Sequence, residues 1–350
     1  MKLLKITLVN LILISFFVRC GNENSYSKVS HGKLTEQGNM LIRIVKKKEI
    51  VLNTGEDVIG FVMDVKITDN NILVIDPIYS RKCFYFNHDG KLLFTSGTTG
   101  EGPGEVPMLC AACISGEKIF VFGNYRLNIY SRKNGKEIRT IKKPFRAICN
   151  SIYSGSDRTV FALSNNRYNK NKNTIYHLDE NGKLINSFSK AEDVPKVFDT
   201  FYPQTGLFVD SDKIYQFFNY KYEISVFDYN GKILNRIKLK SKYYTEPNMK
   251  KAKHVKPRKE KEFRASFTQI TGFFKHSKGF VALLTNWKNS KTNQVIVEFW
   301  SNKFNKIGSC EFNENSEFVH YSDDMFITID VDNNPQKIEF WDIVFKKNQD

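Results

Sequence analysis

One short pattern recurs along this chain and limits what it can become. An apolar stretch carrying an aromatic residue runs into a turn built on Asn-Gly or Asp-Gly, and a lysine follows. The pattern is read in Cys83–Lys91, Leu127–Lys136, Ile175–Lys183 and Ile224–Lys232. Val297–Lys306 is a degenerate copy, and Ile338–Asp342 is a last fragment with no turn after it. Asp89-Gly90, Asn134-Gly135, Asn181-Gly182 and Asn230-Gly231 are the dipeptides that type I′ hairpin turns ask for, because both central residues then take positive φ. Each is followed by a further β stretch, so each repeat is expected to end in a hairpin.

Two more strand-like stretches precede each hairpin. They are Phe61–Ile67 and Asn71–Ile75 in the first unit, Leu109–Ile114 and Lys118–Phe122 in the second, and Gly206–Val209 and Lys213–Phe218 in the fourth. Four short strands per unit, repeating at about 45–50 residues, is the signature of a β-propeller blade. Stacked blades bury both sides of their inner strands, which suits the unbroken apolar run Ile119–Phe122. A sandwich would alternate. The many Phe (29) and Tyr (16) and few Pro (9) favour strands.

Counting gives six blades. The sixth finds only three strands of its own, in Phe318–Tyr321, Met325–Val331 and Gln336–Val344, while Met40–Val45 lies before the first blade without a partner. The expectation is an all-β, six-bladed propeller of four-stranded antiparallel blades over residues 39–346, closed by an N-terminal strand that completes the last blade. Such closure removes the open edges that invite aggregation.

The N-terminus sets the address. Lys2 and Lys5 precede a nearly unbroken apolar run, Ile6–Val18, too short to span a bilayer comfortably. This is the form of a secretory signal peptide, read over residues 1–19. The run stops at Cys20, and the segment is similar to a bacterial lipoprotein signal, although Arg19 stands where a small residue is usual. Acyl chains on Cys20 would anchor the protein, since each buried methylene contributes about 0.8 kcal/mol. Residues 20–38 are then a lipidated N-terminus and flexible tether. Export also settles the net charge of +16, of which Lys2, Lys5 and Arg19 belong to the leader. Nucleic acid is excluded as a partner. The expected partners are the membrane, through the lipid anchor, and an envelope protein or an anionic glycan or lipid.

Gly97–Glu105, with its Gly102-Pro103-Gly104-Glu105 core, is similar to a stretch that ends the first blade in six-bladed propellers of the TolB-like and NHL-like type found in lipoproteins of Bacteroidota. The resemblance covers roughly Met40 to Lys346. It implies the fold and an exported address and says little of activity, since related propellers include binding modules as well as metal-dependent lactonases and lyases.

Candidate site residues follow from position. Gly100–Glu105 reads as a tight connection between blades, or as a mouth loop projecting Glu101 and Glu105 towards a ligand. The inner strands offer Asp64, Cys110, Cys113, Asn150, Gln204, Thr268, Gln269 and His320 to the central channel. This set is too poor in oxygen ligands for calcium and too scattered for zinc, so no metal, cofactor or catalytic residue is assigned. Cys110-Ala-Ala-Cys113 has redox spacing, but in a strand residues three apart point to opposite faces, and the pair reads as small packing residues. No disulfide is expected. Trp300 and Trp341 fall on the repeat's core position. Trp287, Tyr243 and Tyr244 lie outside it and could stack on a sugar.

One insertion stands apart. Residues 241–264 carry Lys250, Lys251, Lys253, Lys256, Arg258, Lys259, Lys261 and Arg264 against Glu260 and Glu262. Loops of this length are functional or mobile, and the functional form here is contact with anionic lipid headgroups or an acidic partner. The sequence therefore reads as an exported, lipid-anchored binding or scaffold module. The alternative is a metal-dependent hydrolase or lyase with its site in the channel.

Overall fold

In a computed structural model of the chain, the residues described are 29–30, 40–68, 71–145, 148–165, 173–190, 195–198, 205–287, 293–312, 317–322, 324–330 and 336–347. The leader, Cys20, most of the tether and Gln204 lie outside them. The strands form six sheets. Blade one is β3 (Asp64–Thr68), β4 (Asn71–Asp76), β5 (Lys82–Asn87) and β6 (Leu92–Ser96). Blade two is β7 (Leu109–Ser115), β8 (Lys118–Gly123), β9 (Arg126–Ser131) and β10 (Glu137–Lys142). Blade three is β11 (Ile148–Ser154), β12 (Val160–Asn165), β13 (Asn173–Leu178) and β14 (Leu184–Lys190). Blade four is β15 (Thr205–Val209), β16 (Lys213–Phe218), β17 (Lys221–Asp228) and β18 (Ile233–Lys238). Blade five is β19 (Thr268–His276), β20 (Gly279–Trp287), β21 (Asn293–Trp300) and β22 (Lys306–Phe312).

Blade six holds β23 (Glu317–Ser322), β24 (Met325–Asp330) and β25 (Lys337–Lys347). Its outer strand is β2 (Met40–Val51), which pairs with β25 from Met40↔Lys347 to Val51↔Lys337. A two-residue strand, β1 (Val29–Ser30), pairs antiparallel outside β2. The N-terminal strand is thus twice as long as its apolar core Met40–Val45 suggested. The lysines at its far end, Lys46 and Lys48, are tolerated because this is an outer strand, and Lys46 meets Glu339 and Glu49 there.

Apolar burial follows the blade geometry. The second strands of blades one, two and four share one pattern, a half-buried first residue and five buried ones, whereas β10 and β18 are exposed along most of their length. The core is divided between blades rather than gathered at one centre. Phe84 and Phe86 of blade one pack with Ile327, Ile338 and Phe340 of blade six. Tyr85 on the other side of the same strand packs with Val121 and Tyr130 of blade two. Trp341, fully buried as its repeat position implies, packs with Val281, Phe299 and Phe312 of blade five. Each such large side chain stabilises the fold by about 1.5–3 kcal/mol, so the ring is held by its six interblade seams.

The hairpins stand where the Asx-Gly dipeptides placed them, with a different turn. Gly90, Gly135, Gly182 and Gly231 have positive φ and the residues before them do not. In blade one Gly90 N donates to Asn87 O at 3.1 Å, and the register slips between Tyr85 and Phe86. This is a turn followed by a single left-handed glycine and a bulge, not type I′. The extra stabiliser is an Asx side chain at the turn's start. Asn87 Oδ1 accepts from Asp89 N and Lys91 N, and Asp179 Oδ1 accepts from Asn181 N and Lys183 N.

Candidate functional site

Strand direction sorts the connections onto two faces. Each blade is antiparallel throughout, so the turns between first and second strands and the Asx-Gly hairpins open on one face. The turns between second and third strands, and the connections to the next blade, open on the other. This second face, the loop face, carries the insertion and the Gly100–Glu105 segment.

A buried carboxylate organises the loop face at blade one. Asp76, fully buried at the end of β4, accepts backbone N–H groups from Gly60 (2.8 Å), Phe61 (3.2 Å), Ile78 (3.1 Å), Tyr79 (3.0 Å) and Ser80 (3.2 Å). Burial works to raise its pKa, but the N–H groups outweigh it and hold the carboxyl below its usual range. The connection before β3 and the turn after β4 are thereby fixed to each other. Gly60 is where they touch: a Cβ there would lie 2.6 Å from the Tyr79 ring. These two segments carry Val58, Phe61, Ile78 and Tyr79, all exposed, with Tyr79 71% exposed. Met108 and Tyr125 (70% exposed) are exposed in the loop-face connections of blade two, and Met63 lies beside the entry to β3.

The Gly100–Glu105 segment turns inward on its own chain. Glu105 accepts from Gly102 N at 2.7 Å, and its carbonyl takes the Asn128 amide at 3.2 Å. Tyr130 OH donates to Gly104 O at 2.7 Å. Glu101 is exposed, and its carbonyl receives Arg126 Nη1 at 3.1 Å.

In the channel, Asp64 pairs with Lys66 at 2.7 Å, the two side chains being 17% and 13% exposed. Lys66 Nζ sits 4.9 Å from the Tyr153 ring of blade three, and Tyr153 OH accepts Leu207 N of blade four at 3.5 Å. Burial works to lower the Lys66 pKa, but the Asp64 charge and the Tyr153 phenol reverse it, and the ammonium is raised. Burial raises Asp64 against the pull of Lys66. Asp64, read from sequence as a residue offered to the channel, is one half of an ion pair. Lys66 stands two residues further along the same strand, so the two side chains share one face and the pair was open to a linear reading, whereas the capping Tyr153 belongs to blade three and had no signal in the sequence.

Two further candidates, His320 of the inner strands and Trp287 outside the repeat, are placed by backbone alone. His320 lies on β23 opposite Ile327, and Trp287 on β20 opposite Asn293. Their side chains lie outside the described residues. Among the described residues no three His, Cys, Asp or Glu side chains gather as a metal site. Cys110 and Cys113 are buried on β7, as are Cys83, Cys149 and Cys310 elsewhere, and all five are free thiols. Burial pushes Cys113 and Cys310 up to about 12. Thr268 and Gln269 are buried at the root of the insertion rather than open to the channel.

The basic insertion is ordered, with short helices α1 (Met249–Ala252) and α2 (Glu260–Arg264). Its underside is apolar: Ala252, Phe263 and Phe267 pack on Val197, Phe198, Phe218 and Tyr220. Its root is fastened to blade five by Glu298, which is fully buried. The Glu298 carboxylate accepts from Tyr222 OH at 2.7 Å and from Ser241 Oγ, and pairs with Lys306. Tyr243 and Tyr244 pack in this root, beside Lys306 and Tyr222. Lys250, Lys251, Lys253, Lys256, Arg258, Lys259 and Lys261 all point outward and are exposed. Among them Lys259 is met by Glu262, at 2.7 Å.

A family comparison decides the identity of this ring. The DUF5128 family, described as a 6-bladed beta-propeller, matches residues 35–278. The chain belongs to that family. Among solved structures, DUF5128's fold recurs in a Bacteroides fragilis protein named as an exported protein, with a TM-score of 0.61, 11% identity, and 89% of this chain and 98% of that one covered. A DUF4221 family member from Bacteroides vulgatus has a TM-score of 0.61 at 12% identity, covering 87% of this chain and 99% of its own. At these identities the likeness is one of fold. No curated protein matches this DUF5128 chain.

Proposed function

We propose that this DUF5128 propeller is exported, anchored by acylation of Cys20, and acts at the bacterial cell envelope as a binding or scaffold module through its loop face. One observation carries the reading. Asp76 clamps two loops together, and those loops hold Val58, Phe61, Ile78 and Tyr79 out to solvent. Apolar side chains on preorganised loops lose little conformational freedom when a partner covers them, which is what a recognition surface needs. Solved structures of the same fold include the Bacteroides protein named as exported, which supports the address. The signal-like residues 1–19 and Cys20 support the lipoprotein form, of the TolB-like and NHL-like kind.

The test follows Cys20. Cells expressing the wild-type chain or Cys20→Ala are labelled with a radioactive fatty acid, cross-linked and fractionated. Label on the wild type alone, with the protein in the membrane fraction together with cross-linked material, is the expected result. Unlabelled wild-type protein in the soluble fraction overturns the anchored reading.

A further inference from the structure

The loop face carries two kinds of surface on opposite sides of the channel. At blades one and two it is apolar, through Phe61, Ile78, Tyr79, Met108 and Tyr125. Between blades four and five it is basic, through the outward lysines of the insertion, and Met249 of α1 is exposed among them. Asp57 on the apolar side is already paired with Lys82 at 2.7 Å, so it adds little unbalanced negative charge. Val58 and Met63 also lie on this face, in the connection before β3, and the remaining exposed large apolar residues sit singly or in pairs on outer strands. Among the described residues none of them lies in the turns of the opposite face.

Resting on the anchored reading above and naming the partner of that same face, we propose that the loop face lies flat on an anionic lipid bilayer. The exposed aromatic and aliphatic side chains of blades one and two enter the boundary between headgroups and acyl chains, and the lysines of the insertion meet headgroup phosphates. Tyrosine rings suit this depth, being apolar in body and polar at the tip. Paired apolar and basic elements are what reversible bilayer binding uses.

The chain's own path selects a bilayer over an acidic protein. β2 runs towards the loop face, because its end feeds the connection into β3, and β1 is antiparallel to it. The N-terminal end of β1 therefore points to the loop-face side. Residues 21–28 separate Val29 from Cys20, and a link of that length reaches at most about 30 Å. Val29 pairs with Val45, midway along β2, so an acyl group on Cys20 would hold this edge of blade six within that distance of the membrane, and tethering of this kind makes a modest surface affinity sufficient.

The test uses the chain from Gly21 to Asp350, made without leader or lipid, which keeps every described residue. It is mixed with vesicles rich in phosphatidylglycerol and with vesicles of phosphatidylcholine alone. Binding to the anionic vesicles is expected to weaken about tenfold in Tyr79→Ser/Tyr125→Ser, and similarly in Lys250→Glu/Lys253→Glu/Lys256→Glu. High salt should weaken it too. The altered residues are all exposed, and an unchanged thermal unfolding curve confirms that the variants fold. Equal binding to both vesicle types, binding indifferent to the tyrosines, or no vesicle binding with capture of an acidic protein by this face instead, each overturns the proposal. Detergent partitioning of the full chain against Cys20→Ala reads the anchor separately. Anchoring without vesicle binding by the Gly21 chain sinks the bilayer contact alone, and vesicle binding without acylation sinks the anchor alone.

Discussion

Asp76 and Gly60 lie 16 positions apart, and the carboxylate of one accepts the backbone N–H of the other at 2.8 Å. That bond joins the segment that leads into blade one to the turn that follows its second strand. Four further N–H groups share the same carboxylate. The carboxylate thus ties the two segments to each other.

Asp76→Asn should lower stability by about 1–3 kcal/mol, because an amide offers one acceptor oxygen where the carboxylate offers two. The sign with pH follows from the depressed pKa. The contribution is fully present above the ordinary Asp value of 3.8 and is lost as the pH falls through the folded-state value beneath it. Urea unfolding of both proteins across the acid range should show their stabilities converging at the acid end.

Glu298→Gln should loosen the insertion. Tyr222, Ser241 and Lys306 all address this buried carboxylate, and burial together with its charge holds the Tyr222 phenol well above its usual range. A loss of about 1–3 kcal/mol is expected. Trypsin should cut between Lys250 and Lys261 faster in the variant than in the wild type.

His177 should make the protein sensitive to mild acid. It is 5% exposed, stacks on Phe161 at 4.2 Å between ring centroids, and neither ring nitrogen has a hydrogen-bond partner from a side chain. Burial lowers its pKa below 6.5, so the unfolded chain takes up the proton first. Stability is therefore complete above 6.5 and declines as the pH falls below it, and the lowered pKa of His276 adds in the same sense. His177→Phe should flatten the fall in Tm between neutrality and a pH of about 5.

The five buried cysteines described should resist alkylation in the native protein. Cys113 and Cys310 are pushed up to about 12, Cys83, Cys110 and Cys149 are also raised by burial, and the thiolate is the reactive form. Iodoacetamide at neutral pH should label the denatured chain at these positions and leave the folded one largely unmodified.

Gly231→Ala should destabilise by more than about 1–2 kcal/mol, the cost of a left-handed alanine. Gly231 has φ of +84°, and a Cβ would sit 2.4 Å from the ring of Phe188 in the preceding blade. Thermal unfolding measures the loss.

The sequence alone determined the ring. Asx-Gly turns recur at blade spacing, inner strands are apolar on both sides, and the unpartnered N-terminal stretch had a vacancy to fill in blade six. These are local signals, set by φ at single glycines and by side-chain alternation, and they survive in a linear reading. Trp300 and Trp341 were legible as core for the same reason. The turn type was less so, because Asx-Gly serves both a type I′ turn and a bulged one, and the twist of the flanking strands chooses between them. The charged contacts were decided only by tertiary structure. Nothing in the chain tells that Tyr153 of blade three lies over Lys66, or that Glu298 receives Ser241 from the insertion. Those partners lie in different blades, and only the packing of the ring brings them together. The same holds for the loop face. Its apolar residues come from four separate connections, and it is the antiparallel order of the strands that sets them side by side.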